Sequence, residues 1–244
     1  MIPAMPDRAA LVTGASSGIG LAIAHLLGEE GFALTVAARR PEKLAAAAAE
    51  LRAAGCDVEE VAADMGDEDA VRAVAARHAE RHGRLDVLVN NAGVGLGAPV
   101  TETQTSRLDL QLGVNLRAAI LFYRECADLL RAAAAERGSA HVINMASVAG
   151  KSGQPWLSVY SATKAGVIGF TQAMNRELGS DGVKSVALCP GYVNTAMTDF
   201  VKEEVAAEDM IQPADIAKAV RFLLRTSPRC VVPEITFERH GARL

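Results

Sequence analysis

Ala9-Ala10-Leu11-Val12-Thr13-Gly14-Ala15-Ser16-Ser17-Gly18-Ile19-Gly20 is the stretch on which the fold turns. AALVT reads as a short buried strand, and the residues after Gly20, LAIAHLLGEE, read as a helix. Between them glycines stand at 14, 18 and 20. They permit a tight strand-to-helix turn and let backbone N–H groups approach an anion. The helix N-terminus then faces that anion with the positive end of its dipole. Glycine-rich turns are common, and the spacing here, TGxxxGxG, is looser than the usual GxGxxG. Its position between a strand and a helix is the context that makes it a dinucleotide turn.

Further along, short apolar runs alternate with longer helical patterns. Strands are expected near 9–13, 32–38, 57–62, 86–89, 140–145, 183–189 and 231–236, with helices at 19–30, 41–54, 67–82, 103–135, 158–179 and 213–225. This alternation predicts an α/β, doubly wound Rossmann-type parallel sheet of about seven strands, flanked by helices on both faces and joined by right-handed crossovers. No linker or repeat divides the 244 residues, so one domain over 1–244 is expected, with a substrate loop or lid at about 192–210. The 103–135 helix carries Leu108, Leu112, Leu116, Ile120, Tyr123 and Leu130 at near-helical spacing. Most serve the core; a surplus apolar stripe would suit a second copy of the chain, and a homodimer or homotetramer is expected.

Half the residues are hydrophobic, and the formal charge of −4 is spread among interspersed acids and bases. That balance argues against a nucleic-acid or anionic-membrane surface. Cysteines 56, 126, 189 and 230 form no CxxC pair or zinc spacing and read as free thiols in a reducing compartment. No apolar run is long enough for a bilayer span, and the N-terminus lacks the pattern of a signal peptide. A cytoplasmic protein is expected, acting on a small molecule. His78 and His82 are four apart, but Ala79 breaks the HExxH pattern, so a solvated helix face is expected there and no metal site.

The second strand ends at Ala37-Ala38, followed by Arg39-Arg40. An acidic residue at this place would serve the ribose 2′-hydroxyl of NAD. A guanidinium instead matches the oxygens of a 2′-phosphate. NADP(H) is therefore expected over NAD(H).

Tyr160-Ser161-Ala162-Thr163-Lys164 falls near the start of a predicted helix. Residues four apart share a face, so phenol and ammonium point into one cleft. The ammonium is expected to lower the phenol's ordinary value of ~10. Such a phenol gives a proton to a carbonyl oxygen or takes one from an alcohol.

The ordered set TGASSGIG at 13–20, Asp64-Met65, Asn90-Asn91-Ala92-Gly93, Asn115, Ser147, YSATK at 160–164 and Pro190-Gly191-Tyr192-Val193-Asn194-Thr195 resembles the short-chain dehydrogenase/reductase family, in its single-domain branch. The resemblance implies a catalytic group of Asn115, Ser147, Tyr160 and Lys164. Asn115 would hold a proton-relaying water, Ser147 would polarise the substrate oxygen, and Tyr160 would transfer the proton. It implies cofactor contacts from Gly14, Ser16, Ser17, Gly18, Ile19, Gly20, Arg39, Arg40, Asp64, Met65, Asn91, Ala92, Gly93, Tyr160, Lys164, Pro190, Gly191, Val193 and Thr195. Asp64 would meet the adenine, Lys164 the nicotinamide ribose and Thr195 the carboxamide.

Substrate choice rests on loops outside these motifs, which offer Val94, Leu96, Val148, Trp156, Tyr192, Met197 and Phe200, a mostly apolar wall. A small-to-medium, rather apolar carbonyl or secondary alcohol is expected. The tail, VVPEITFERH at 231–240, lacks the paired glycines of many relatives. A non-catalytic NADP(H)-sensing regulator is the competing reading; the retained Asn115, Ser147, Tyr160 and Lys164 favour an enzyme.

Overall fold

The computed structural model describes residues 8–241. Seven parallel strands form one sheet: β1 (Ala9–Thr13), β2 (Ala33–Ala38), β3 (Val58–Ala62), β4 (Val87–Asn90), β5 (Ala140–Met145), β6 (Val183–Pro190) and β7 (Glu234–Phe237), in the order β3-β2-β1-β4-β5-β6-β7. Leu11 of β1 sits opposite Thr35 on one side and Leu88 on the other. β1, β2, β4, β5 and β6 are buried along their whole length, which is why they read as continuous apolar runs rather than alternating ones.

Helices α1 (Gly18–Glu29), α2 (Pro41–Ala53), α3 (Glu68–His82), α4 (Thr105–Leu112), α5 (Ala118–Arg137), α6 (Ser158–Glu177) and α7 (Pro213–Leu224) cover the sheet. Successive strand residues face opposite ways. Ala10 and Val12 therefore join Ile23, Leu27, Leu51 and Val220 in one core, built with α1, α2 and α7. Leu11 turns the other way and joins Val74, Phe122 and Leu130 in a second core, with α3 and α5. The strand order reverses between β1 and β4, which opens a crevice at their C-terminal ends.

Three expectations change. The helix expected over 103–135 is two α-helices joined by a π-helical turn, Gly113–Arg117. A single inserted residue widens the turn without disturbing the apolar spacing, so periodicity does not reveal it. The last strand starts at Glu234 rather than 231, because Pro233 has no N–H to give the ladder, although its carbonyl accepts from Ala187 N at 3.0 Å. His78 is not on a solvated face. It is fully buried, its ring bonded to Thr35 Oγ1 at 2.8 Å and to Arg84 O at 2.9 Å. Burial, then the neighbouring His82, pushes its pKa down to about 4.

The four cysteines are free thiols. Among the described residues no group of His, Cys, Asp or Glu is placed to hold a metal ion, and no helix is long and apolar enough to cross a membrane.

Candidate active site

The crevice floor is the turn between β1 and α1. Gly14 and Gly18 have φ of +66° and +58°, in the left-handed region that favours glycine. A Cβ on Gly20 would stand 2.4 Å from Gly14 O and 2.5 Å from Asn91 Nδ2, so the turn closes only on hydrogen. Asn91 braces it: Nδ2 donates to Thr13 O at 3.0 Å and Gly14 O at 3.2 Å. Thr13 Oγ1 accepts from the N–H groups of Asn91 and Ala92, each at 3.0 Å. Thr13 and the amide of Asn91 thus shape the turn from beneath. Ser17, the N-cap of α1, is exposed and makes no side-chain cap bond, while Ser16 and Ile19 are partly buried beside it.

Arg39 and Arg40 follow β2 at the rim. Both are exposed, and neither side chain makes a hydrogen bond or ion pair with another described residue. Asp64 is exposed after β3 and its carboxylate accepts from Gly66 N at 2.9 Å, while Met65 is buried in the second core. Opposite α1, Thr195 closes in; a Cβ on Gly18 would lie 3.0 Å from its methyl. The loop carrying it starts at Pro190, is tied by Gly191 N to Phe237 O at 2.9 Å, and buries Val193.

The π-helical turn places Asn115. Its Oδ1 accepts from Val94 N at 2.7 Å, and its Nδ2 donates to Val94 O at 2.9 Å and Thr163 Oγ1 at 3.2 Å. One buried amide thereby ties the loop after β4 to α6. Gly93 lies alongside: a Cβ there would meet Asn115 Oδ1 at 3.3 Å and Lys164 Nζ at 3.6 Å. Lys164 is buried on α6 and donates to Met145 O at 2.7 Å. Burial drives its pKa down to about 8. Ser147, just past β5, accepts from Ala149 N at 3.1 Å and donates to Pro190 O at 3.3 Å.

Tyr160 is partly buried, one turn before Lys164. Burial raises its pKa above the ordinary value and the Ser147 hydroxyl pulls it back down. The expected lowering by Lys164 is absent from the chain by itself. The ammonium is aimed at Met145 O, and Nζ lies 5.6 Å from the Tyr160 ring centroid.

The apolar wall is distributed unevenly. Val94 is held by Asn115, and Leu96 N donates to Gln111 Oε1 at 3.2 Å. Val148 approaches Gly191, whose Cβ would lie 4.0 Å from it. Trp156, Tyr192, Met197 and Phe200 are exposed at the mouth. Segment 192–210 leaves and rejoins the body at one neck, where Val193 bridges Ile211, and packs Val201, Val205 and Met210 into its own cluster. Thr13, Gln111 and Thr163 were missed in the sequence because each acts on a partner distant along the chain. Only Thr13, inside the glycine stretch, carried a local signal.

This doubly wound sheet with a polar cluster beside a glycine turn is that of an oxidoreductase. A family model for short chain dehydrogenases matches residues 8–206, and the chain belongs to the short-chain dehydrogenase/reductase family of NAD(P)-dependent enzymes. It is 38% identical to a putative ketoacyl reductase of Streptomyces coelicolor, over 89% of this chain and 90% of that one. Among solved structures it is similar to a metagenomic short-chain oxidoreductase in complex with NADP, with a TM-score of 0.81, 36% identity and coverage of 94% and 96% of the two chains. It is also similar to a variant actinorhodin polyketide ketoreductase with NADPH, with a TM-score of 0.85, 35% identity and coverage of 94% and 95%.

Proposed function

We propose that the chain reduces a small-to-medium, largely apolar ketone, or oxidises the matching secondary alcohol, with NADP(H) as the preferred cofactor and Tyr160 as general acid and base. The observation that carries this reading is the convergence of Ser147, Tyr160, Lys164 and Asn115 at the crevice edge that holds the glycine turn. The ketoreductase neighbour with NADPH and the ketoacyl reductase relative favour the carbonyl direction.

The dinucleotide fits the residues present. Gly14, Gly18 and Gly20 add no side chains of their own to the turn, and the N–H groups from Ser16 to Gly20, at the N-terminus of α1, would meet a pyrophosphate. Arg39 and Arg40, whose side chains are unpaired among the described residues, would take the 2′-phosphate. Asp64 and Met65 would flank the adenine. Asn91, Ala92 and Gly93 would line the middle, while Pro190, Gly191, Val193 and Thr195 would border the nicotinamide. When bound, the nicotinamide supplies or accepts the hydride.

The protein's own part is proton handling. Negative charge develops on the substrate oxygen during reduction, so donors must be in place beforehand. Tyr160 and Ser147 both offer an O–H there. Because burial keeps the phenol protonated, Tyr160 is ready to donate at neutral pH. Lys164, with its pKa near 8, stays mostly protonated at neutral pH and is suited to restoring the phenolic proton. Asn115 holds the loop after β4 against α6 beside them. The exposed Leu112 and Ile120 support a homodimer or homotetramer.

Turnover of a ketone and alcohol panel with each cofactor, followed by reduced-nicotinamide absorbance, tests the reading. A consistent NADPH preference is expected. In Tyr160→Phe, kcat should fall by roughly 10²- to 10⁴-fold while NADPH still binds. Binding without turnover of any carbonyl would favour the sensor.

A further inference from the structure

Trp156 is the chain's only tryptophan and, among the described residues, the only non-glycine residue with positive φ, at +67°. Bulky side chains rarely hold this backbone conformation, and such strain gathers at sites that grip a ligand. The strain here is fixed by its surroundings. Ala98 N donates to Trp156 O at 2.8 Å. The indole also lies directly on the backbone of Gly97, where a Cβ would be 2.3 Å from the ring. On the far side Phe200 meets the indole at a centroid distance of 5.9 Å and a tilt of 50°. At that separation the two rings touch, so no third ring fits between them; together they make one broad aromatic face.

That face and the proton donor lie over the same loop. Gly95, two residues before Gly97, is open toward Met197 and Tyr160, which a Cβ would meet at 3.7 and 4.0 Å. Tyr160 and Met197 thus stand over Gly95, and Trp156, with Phe200 against it, stands over Gly97. Trp156 and Phe200 are 50% and 57% exposed, far more than ordinary core aromatics.

We infer that Trp156 and Phe200 form an aromatic recognition face selecting ketones that carry a flat ring next to the carbonyl. The carbonyl oxygen sits at Tyr160 and the ring lies against the indole–phenyl face. This deepens the proposed function and rests on it. Two aromatic surfaces and a thioether favour a planar ring over a flexible alkyl chain of equal size, because a rigid ring loses less freedom on binding and gains edge or face contacts.

The lone tryptophan supplies a readout independent of turnover. The enzyme saturated with NADP⁺, which forms a dead-end complex with ketones, is titrated with 1-tetralone and with 2-octanone while indole emission is followed. Tetralone should quench saturably, with a Kd at least about tenfold below that of octanone. In Phe200→Ala and Phe200→Leu the Kd preference and the matching ratio of kcat/KM should both collapse about tenfold, and Phe200→Tyr should restore them. Trp156→Gly relieves the strained backbone, so it should gain thermal stability while losing the same kcat/KM ratio. Preference unchanged within twofold in Phe200→Ala, Phe200→Leu and Trp156→Gly would overturn the face, leaving the reductase reading intact. Failure of the wild type to turn over any ketone would overturn the reductase reading, and the face with it.

Discussion

Tyr160 and Lys164 show how two residues one helical turn apart reach different protonation behaviour. Burial penalises whichever form is charged, so it raises the phenol and lowers the amine. In the proposed reduction the donor must be protonated, and burial keeps it so. Ketone reduction is therefore expected to hold nearly level from about pH 6 to about pH 7, where both groups carry protons, and to decline as Lys164 loses its own near pH 8. Alcohol oxidation, which needs an acceptor at Tyr160, should climb with pH over the same range. Initial rates in the two directions across the range check this; reduction falling with a midpoint near neutrality would count against Tyr160 as donor. That Tyr160 and Lys164 stand one turn apart on a single helix was legible from YxxxK. That the amine is aimed at Met145 O was not, because β5 lies 19 residues upstream of Lys164 and nothing local marks the contact.

At the scale of elements, the first turn carries the clearest expectation. Gly20→Ala would force a methyl against Gly14 O and Asn91 Nδ2, both part of the turn itself. Cofactor affinity should drop at least about tenfold, with a loss of roughly 1–3 kcal/mol in stability, measured by fluorescence titration and urea unfolding. The rim of β2 should behave differently. Arg39→Ala with Arg40→Ala removes charges whose side chains form no hydrogen bond or ion pair among the described residues, so the unfolding midpoint should hardly move. NADPH affinity should fall about 10- to 100-fold and NADH affinity should not. Equal losses for both cofactors would take the 2′-phosphate off these arginines. β1 and β5 fall on the residues anticipated from the sequence, because fully buried parallel strands leave unbroken apolar runs. The π-helical turn at Asn115 was hidden, since its cause is the tertiary demand of two bonds to Val94.

The whole molecule carries buried histidines at two places on the sheet. His78 lies between α3 and β2, and His141 is on β5 near Lys184. Burial, before any neighbouring charge, lowers each pKa to about 4. Both are neutral in the folded state, while an unfolded histidine titrates near ~6.5. Their stabilising contribution is complete above that value and declines as pH falls toward 4, by up to roughly 3 kcal/mol for each ring. Urea midpoints should be flat around neutrality and drop steeply in mild acid. His141→Leu should make that drop shallower, and an unchanged slope would remove His141 from the account. Neither ring's burial was evident beforehand: a histidine among arginines and glutamates on α3 reads as surface until the helix phase is known.

The neck formed by Val193 and Ile211 has a practical corollary. Since chain entry and exit are adjacent, the excursion between them is a cassette with fixed attachment points. Loop insertions cost stability mainly through closure, which grows slowly with length. Exchanging 196–210 for the equivalent span of another family member, with Thr195 kept, would then transplant substrate preference while the sheet and its dinucleotide crevice stay as they are.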